Sequence, residues 1–207
     1  MDDYRRFKKL SPTYFADVLP IDQVMNKEIR PLWPAIKRIA GPAYTVRCAP
    51  GDQLALHAAL YRAEPGSVLV VQAGDSRHAV CGGNVCAIAQ QRGIAGFVVD
   101  GLVRDVGETR ERGFALFARG ISPKPGNKEV CLDLNSTITC GGITVSPGDI
   151  IVADEEGILV VPKERQEEIL AAAEKKRARD EATPLDRWRE DHQTMIQTIL
   201  DKQGFTC

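Results

Sequence analysis

The residues best equipped for chemistry stand in one run, Asp100-Gly101-Leu102-Val103-Arg104-Asp105. Arginine presents a planar fork of N–H donors that can grip a carboxylate or an enolate oxygen. The aspartate beside it can hold Mg2+, a hard ion that takes one or two protein carboxylates and keeps several waters. The same charges could equally form a structural ion pair, with Arg104 held by Asp100 or Asp105. Spacing alone leaves both readings open. A second element, Val80-Cys81-Gly82-Gly83-Asn84-Val85, places two glycines at a helix start. There the backbone can approach a ligand closely, and unpaired N–H groups favour an anion. A bare Gly-Gly pair is ordinarily only a tight turn, and its place one βα step before Arg104 is what raises it. Within Pro50-Gly51-Asp52-Gln53-Leu54-Ala55-Leu56-His57, Asp52 reads most simply as a helix N-cap. His57 reads as a core or interface histidine. Arg47 and Asp75 are weaker candidates, Asp75 standing in a loop, Ala73-Gly74-Asp75-Ser76.

The pattern along the chain supplies elements that could position these groups. Ser11 caps a first helix through Val18, with Pro12 at its first position. Residues 19–35 are proline-rich and read as loop and short turns. Gly41-Pro42 opens a strand over 43–48, and Asp52 starts a helix through about Arg62. Ser67-Val68-Leu69-Val70-Val71-Gln72 is a β-branched run typical of a buried strand. A helix from about Asn84 to Arg92 follows, then a short strand, Phe97-Val98-Val99-Asp100, that ends at Gly101. This strand–glycine turn–helix–strand unit predicts parallel pairing. It puts Arg104 and Asp105 at the carboxyl end of a strand, where α/β sheets bind ligands. A helix near Val106 to Gly113 and a strand at 115–118 come next. From Pro123 the pattern turns to short strands at 132–134, 138–140, 143–145, 150–153 and 157–161, with Gly141-Gly142 as a hairpin turn. A long helix over 164–179 and an amphipathic segment over 185–200 are separated by Pro184. The expected organisation is a β/β/α domain over residues 1–162 with its N-terminal helix, and a C-terminal helical arm over 163–207.

Composition removes several function classes. The 207 residues carry 27 basic and 28 acidic side chains, so the clustered basic surplus of a nucleic-acid binder is missing. No apolar run reaches the roughly 18 residues a membrane span needs. Met1-Asp2-Asp3-Tyr4-Arg5-Arg6 leads into no signal-like apolar region, so a cytoplasmic protein is expected. The six cysteines include no C-x-x-C pair and read as buried, reduced thiols. Three histidines, 57, 78 and 192, exclude a histidine-rich metal site.

Several runs together resemble the RraA-like family, and in particular its 4-hydroxy-4-methyl-2-oxoglutarate/4-carboxy-4-hydroxy-2-oxoadipate aldolases. They are Gly51 to Leu60, Pro65 to Val71, Gly82-Gly83-Asn84, and Gly93 to Asp105, of which the D-G-x-V-R-D segment is the most specific. The resemblance runs from about Ser11 to Ala173. It implies an α/β swivelling β/β/α fold and a homotrimer or homohexamer with the site at a subunit boundary. It implies that Asp105 holds a divalent ion, Mg2+ or Mn2+, largely through waters. Arg104 would bind the 2-oxo group of a small 2-oxo acid. The N–H groups around Gly82, Gly83, Asn84 and Val85 would receive its carboxylate.

The activity implied is cleavage of a C–C bond to give pyruvate, with oxaloacetate decarboxylation beside it. Where the aldolases carry an acidic residue thought to orient a proton-moving water, this chain has Gly83. Decarboxylation, which removes no proton from a C4 hydroxyl, is expected to tolerate that change better than aldol cleavage. A carboxylate from a neighbouring subunit's arm also contributes in the aldolases, and Glu181 is the candidate here. The alternative is a non-catalytic RraA-like protein that regulates a ribonuclease E-type enzyme. The Gly83 departure speaks for it and the intact Arg104-Asp105 pair against it. No glycine-rich S-adenosylmethionine loop is present, so methyl transfer is not expected.

Overall fold

Side chains alternate across the buried strands, and in this chain both faces of those strands are apolar, so the sheet must be covered on both sides. The computed structural model describes residues 4–20 and 22–205. Helices α1 (Arg5–Lys8) and α2 (Pro12–Ala16) come first. Then follow β1 (Arg30–Pro31), β2 (Ile39–Cys48), α3 (Leu54–Leu60), β3 (Val68–Gln72), α4 (Gly83–Gln91) and β4 (Gly96–Val103). Next are α5 (Val106–Glu111), β5 (Ala115–Ile121), β6 (Cys131–Leu134), β7 (Ile138–Cys140), β8 (Ile143–Val145), β9 (Ile150–Asp154) and β10 (Gly157–Val161). A 3-10 turn, Lys163–Arg165, leads into α6 (Gln166–Ala182) and α7 (Leu185–Lys202).

Among the described residues the main sheet has the order β1-β5-β4-β3-β2-β9-β10, with β6 also on β2. The pairs β2–β3, β3–β4 and β4–β5 are parallel, as strands joined by the crossover helices α3, α4 and α5 must be. β2 spans two parts of the sheet. Ile39–Pro42 pairs antiparallel with β9, and Ala43–Arg47 pairs parallel with β3. At the far edges, Val24 bridges Leu159 of β10, and Arg30 and Pro31 pair with β5. The segment before β1 therefore nearly closes the sheet into a barrel.

Three apolar layers follow from the alternation. Val68, Val70, Val98, Phe117, Ile151 and Ile158 face inward, where Ile138, Cys140 and Val145 of the β7–β8 hairpin plug the barrel. Leu69, Val71, Phe97 and Val99 face outward beneath Leu56 and Leu60 of α3 and Cys86 and Ala89 of α4. Phe7, Leu10, Phe15, Ile169, Leu170 and Ala173 cover the outer face of β9 and β10. Each large side chain buried this completely stabilises the fold by roughly 1.5–3 kcal/mol. α6 is thus part of the packed body, whereas α7 buries no residue. No described helix is long and apolar enough to cross a membrane.

Several expectations shift in detail. β4 runs two residues past Gly101, to Val103. A Cβ at Gly101 would strike Ala73, so this glycine allows close approach rather than ending the strand. β2 starts at Ile39, before Gly41-Pro42, through its antiparallel pairing with β9, and Gly41 is needed because a Cβ there would meet the Gly66 carbonyl. Gln53, not Asp52, is the N-cap of α3. Ser11 caps α2 as expected, and Gly141 and Gly142 both take the positive φ of a hairpin turn. Cys48, Cys81, Cys86 and Cys140 are buried free thiols, but Cys131 is exposed on β6. Cys207 and the first three residues lie outside the described residues.

Candidate active site

The end of β4 and the start of α4 are fastened together by backbone bonds. Val80 N donates to Leu102 O at 2.9 Å, and Arg104 N donates to Cys81 O at 3.0 Å. Arg104 and Asp105, the first residues beyond β4, therefore stand directly over Gly82 and Gly83. Asp105 holds a left-handed backbone, φ 55° and ψ 39°, which costs a non-glycine residue energy that surrounding bonds must offset. The buried Thr109 does this: its N and its Oγ1 donate to Asp105 O at 3.2 and 3.1 Å. The result aims the Asp105 carboxylate back at α4. Its Oδ2 accepts from Gly83 N at 3.0 Å and lies 3.5 Å from Arg104 Nε.

Both side chains are about two-fifths exposed (41% and 40%), so a small molecule can reach them. An ion pair so open to water is worth little to stability. The terminal nitrogens of Arg104 have no partner among the described residues. With Gly83 N–H engaged by Asp105, the N–H groups of Asn84 and Val85 are the free donors of the first turn of α4, a nine-residue helix. All six residues proposed from sequence thus gather at one helix N-terminus. Cys81, wholly buried beneath them, is hydrogen-bonded to Cys86, and that bond together with burial holds its thiol well above the usual range. It stays protonated and is no nucleophile.

Gly82 is sterically required. A Cβ at Gly82 would collide with Asp105 Oδ2 and come within 2.9 Å of Arg104 Cγ and 3.1 Å of its Nε. Gly82→Ala must therefore push both side chains aside. Since a misplacement of about 1 Å costs about 100-fold in rate, turnover should fall about that much. The melting temperature should move little, because both displaced groups are half exposed. Paired kinetic and thermal measurements check this.

The donor set also bears on a metal. No cluster of three His, Cys, Asp or Glu residues exists among the described residues, which excludes a closed zinc-type cage. A single open carboxylate, Asp105, fits an ion such as Mg2+, which binds through one or two carboxylates and keeps its waters.

Of the weaker candidates, Asp52 has a structural role and the others have partners close by. Asp52 is buried, which alone would raise its pKa. The N–H groups of Leu54, Glu129, Val130 and Gln53 more than offset this and hold the carboxyl below its usual range. Asp52 thus latches the 129–130 segment to α3, with bonds of 2.7 Å to Leu54 N and 2.7 Å to Glu129 N. His57 lies 3.3 Å from Gln53 on its own helix, and burial first, then Lys128, lowers its pKa. Arg47 pairs with Asp133 at 3.2 Å. Glu181 lies 3.6 Å from Arg177 on α6.

Two residues escaped the sequence reading. His78 Nδ1 lies 2.8 Å from Asp75 Oδ2. Burial works to raise Asp75, but the N–H groups of Arg77 and His78 and the His78 ring bring it down to about 2. Glu108, in the first turn of α5, lays its carboxylate over Gly83, where a Cβ would strike its Oε2 and lie 3.2 Å from its Cδ. The Asp105-x-x-Glu108 spacing, a capping-box pattern, was the available signal.

A family model described as RraA-like, Aldolase/RraA, matches residues 15–160. A protein of Halalkalibacterium halodurans provisionally named 4-hydroxy-4-methyl-2-oxoglutarate aldolase is 38% identical over 203 residues, covering 98% of this chain and 95% of its own. Among solved structures, Streptomyces coelicolor RraAS2, described as an unusual member of the RNase ES inhibitor RraA protein family, superposes with a TM-score of 0.78 at 29% identity. The match covers 86% of this chain and 93% of that one. The RNA-processing inhibitor RraA from Thermus thermophilus gives 0.67 at 32% identity, over 73% of this chain and 92% of that one.

Proposed function

The chain belongs to the RraA-like family, and from that premise we propose that it is a divalent-metal-dependent lyase. It cleaves the C3–C4 bond of a 4-hydroxy-2-oxo acid, such as 4-hydroxy-4-methyl-2-oxoglutarate or 4-carboxy-4-hydroxy-2-oxoadipate, to release pyruvate. Oxaloacetate decarboxylation accompanies it. The observation that carries the reading is the convergence of Arg104, Asp105 and the open N–H groups of Asn84 and Val85 at one accessible point. The relatives named as aldolases support the lyase class.

In this reading the substrate carboxylate sits on the N–H groups of Asn84 and Val85, where the helix dipole favours an anion. The Arg104 guanidinium takes the C2 oxygen. As the C3–C4 bond breaks, its electrons pass into a C2–C3 double bond and leave negative charge on that oxygen. Arg104 is already aimed there, so it stabilises the charge without reorganising. Asp105 would hold Mg2+ or Mn2+, which supplies Lewis-acid polarisation of the 2-oxo group. A homotrimer or homohexamer in the cytoplasm completes the proposal.

The test is pyruvate release from 4-hydroxy-4-methyl-2-oxoglutarate and from oxaloacetate, coupled to lactate dehydrogenase, with and without Mg2+. The uncatalysed decarboxylation of oxaloacetate is subtracted. Turnover that vanishes with EDTA and returns with Mg2+ is expected. Rates at background for both substrates would sink the lyase reading. They would favour a binding protein acting on a ribonuclease E-type enzyme, in keeping with the two similar structures named for an RNase ES inhibitor family and for an RNA-processing inhibitor.

A further inference from the structure

Cleavage of a 4-hydroxy-2-oxo acid needs a base, and neither Arg104 nor Asp105 is suited to be one. The C4 hydroxyl must lose its proton while C4–O becomes a carbonyl. A proton must then reach C3 as the enolate returns to the ketone. A guanidinium does not deprotonate in this range. Asp105 Oδ2 is engaged by Gly83 N–H and Arg104. A second carboxylate, that of Glu108, stands at the start of α4. It reaches across from α5 to stand over Gly83, and it fills the volume a side chain at position 83 would take. It makes no hydrogen bond or ion pair there, so its capacity is not spent on capping α5.

Resting on the lyase reading above, we propose that Glu108 is the proton-transferring carboxylate of this site. Gly83 is then the residue that makes room for it. Directly or through one water, Glu108 accepts the C4 hydroxyl proton as the C3–C4 bond breaks. One product leaves as a 2-oxo acid with the new C4 carbonyl. Glu108 then returns the proton to C3 of the pyruvate enolate, so no net proton is consumed. Oxaloacetate decarboxylation has no C4 hydroxyl to deprotonate, so it draws on Glu108 less.

The experiment compares wild type, Glu108→Gln, and the double variant Gly83→Asp/Glu108→Ala, which moves the carboxylate across the same gap. For each, kcat and KM are measured for aldol cleavage and for oxaloacetate decarboxylation. Thermal stabilisation by Mg2+ with oxalate, a planar mimic of the enolate, is recorded in parallel. Glu108→Gln should lower the ratio of aldol to decarboxylation kcat by about 100-fold, the usual scale for a lost acid–base group. The oxalate-dependent rise in melting temperature should persist, and the double variant should recover a large part of the ratio. Parallel loss of both activities, or an unaltered ratio in Glu108→Gln, would overturn the role of Glu108 alone. Absence of turnover by the wild type with either substrate would overturn the lyase reading, and this inference with it.

Discussion

Arg104→Lys should lower kcat for pyruvate release by about 10²- to 10³-fold, equivalent to roughly 3–4 kcal/mol of lost transition-state stabilisation. The charge survives the change, so any effect of simple attraction survives too. What disappears is the planar fork, which can meet an oxygen of the substrate with one nitrogen while Nε stays beside Asp105 Oδ2. A lysine ammonium is a point charge on a flexible stem and cannot satisfy both directions in one pose. KM should rise less than kcat falls, because the interaction strengthens as charge builds on the C2 oxygen. Steady-state kinetics on both substrates provide the check. Near-full turnover in this variant would remove Arg104 from the chemistry.

Asp105→Ala should abolish turnover and the response to metal together. Wild type in Mg2+ and oxalate at about 100 times Kd should gain about 2.7 kcal/mol of stability, seen as a higher melting temperature. The alanine variant should show none of this gain. It also loses the bond to Gly83 N and gives up the polar side chain that makes the left-handed backbone tolerable, so its basal stability should drop. Asp105→Asn separates these effects. Asparagine keeps the side-chain shape, accepts from Gly83 N, and tolerates the left-handed region, while the charge is gone. It should fold like wild type and still fail to respond to Mg2+. A magnesium response retained in Asp105→Asn would place the ion elsewhere.

Local signals made most of the frame readable. The runs Val68–Gln72 and Gly157–Val161 are strands, and the Gly82-Gly83 helix start brought Arg104 and Asp105 to a carboxyl end. The misses share one physical origin: they depend on what lies opposite, not on neighbours in the chain. Gly101 looks like a terminator until Ala73 is seen packed against it. Arg30–Pro31 lies in a proline-rich stretch, yet it serves as an edge strand against β5 because an edge position can forgo a ladder donor. Gly83 reads as a missing acid in one dimension, and as a space occupied by Glu108 in three. His78 is the exception, since it meets Asp75 only three residues away within one loop.

The left-handed backbone at Asp105 has an evolutionary consequence. Few residues can drift into such a position cheaply, but asparagine and glycine can. Both would erase the charge while leaving the barrel intact. Aspartate and asparagine codons differ by one base, so a single mutation can disarm this site without unfolding the protein. A lineage built on this architecture can therefore shed catalysis and keep its surfaces for recognition. One scaffold can in this way supply both lyases and inert binding partners.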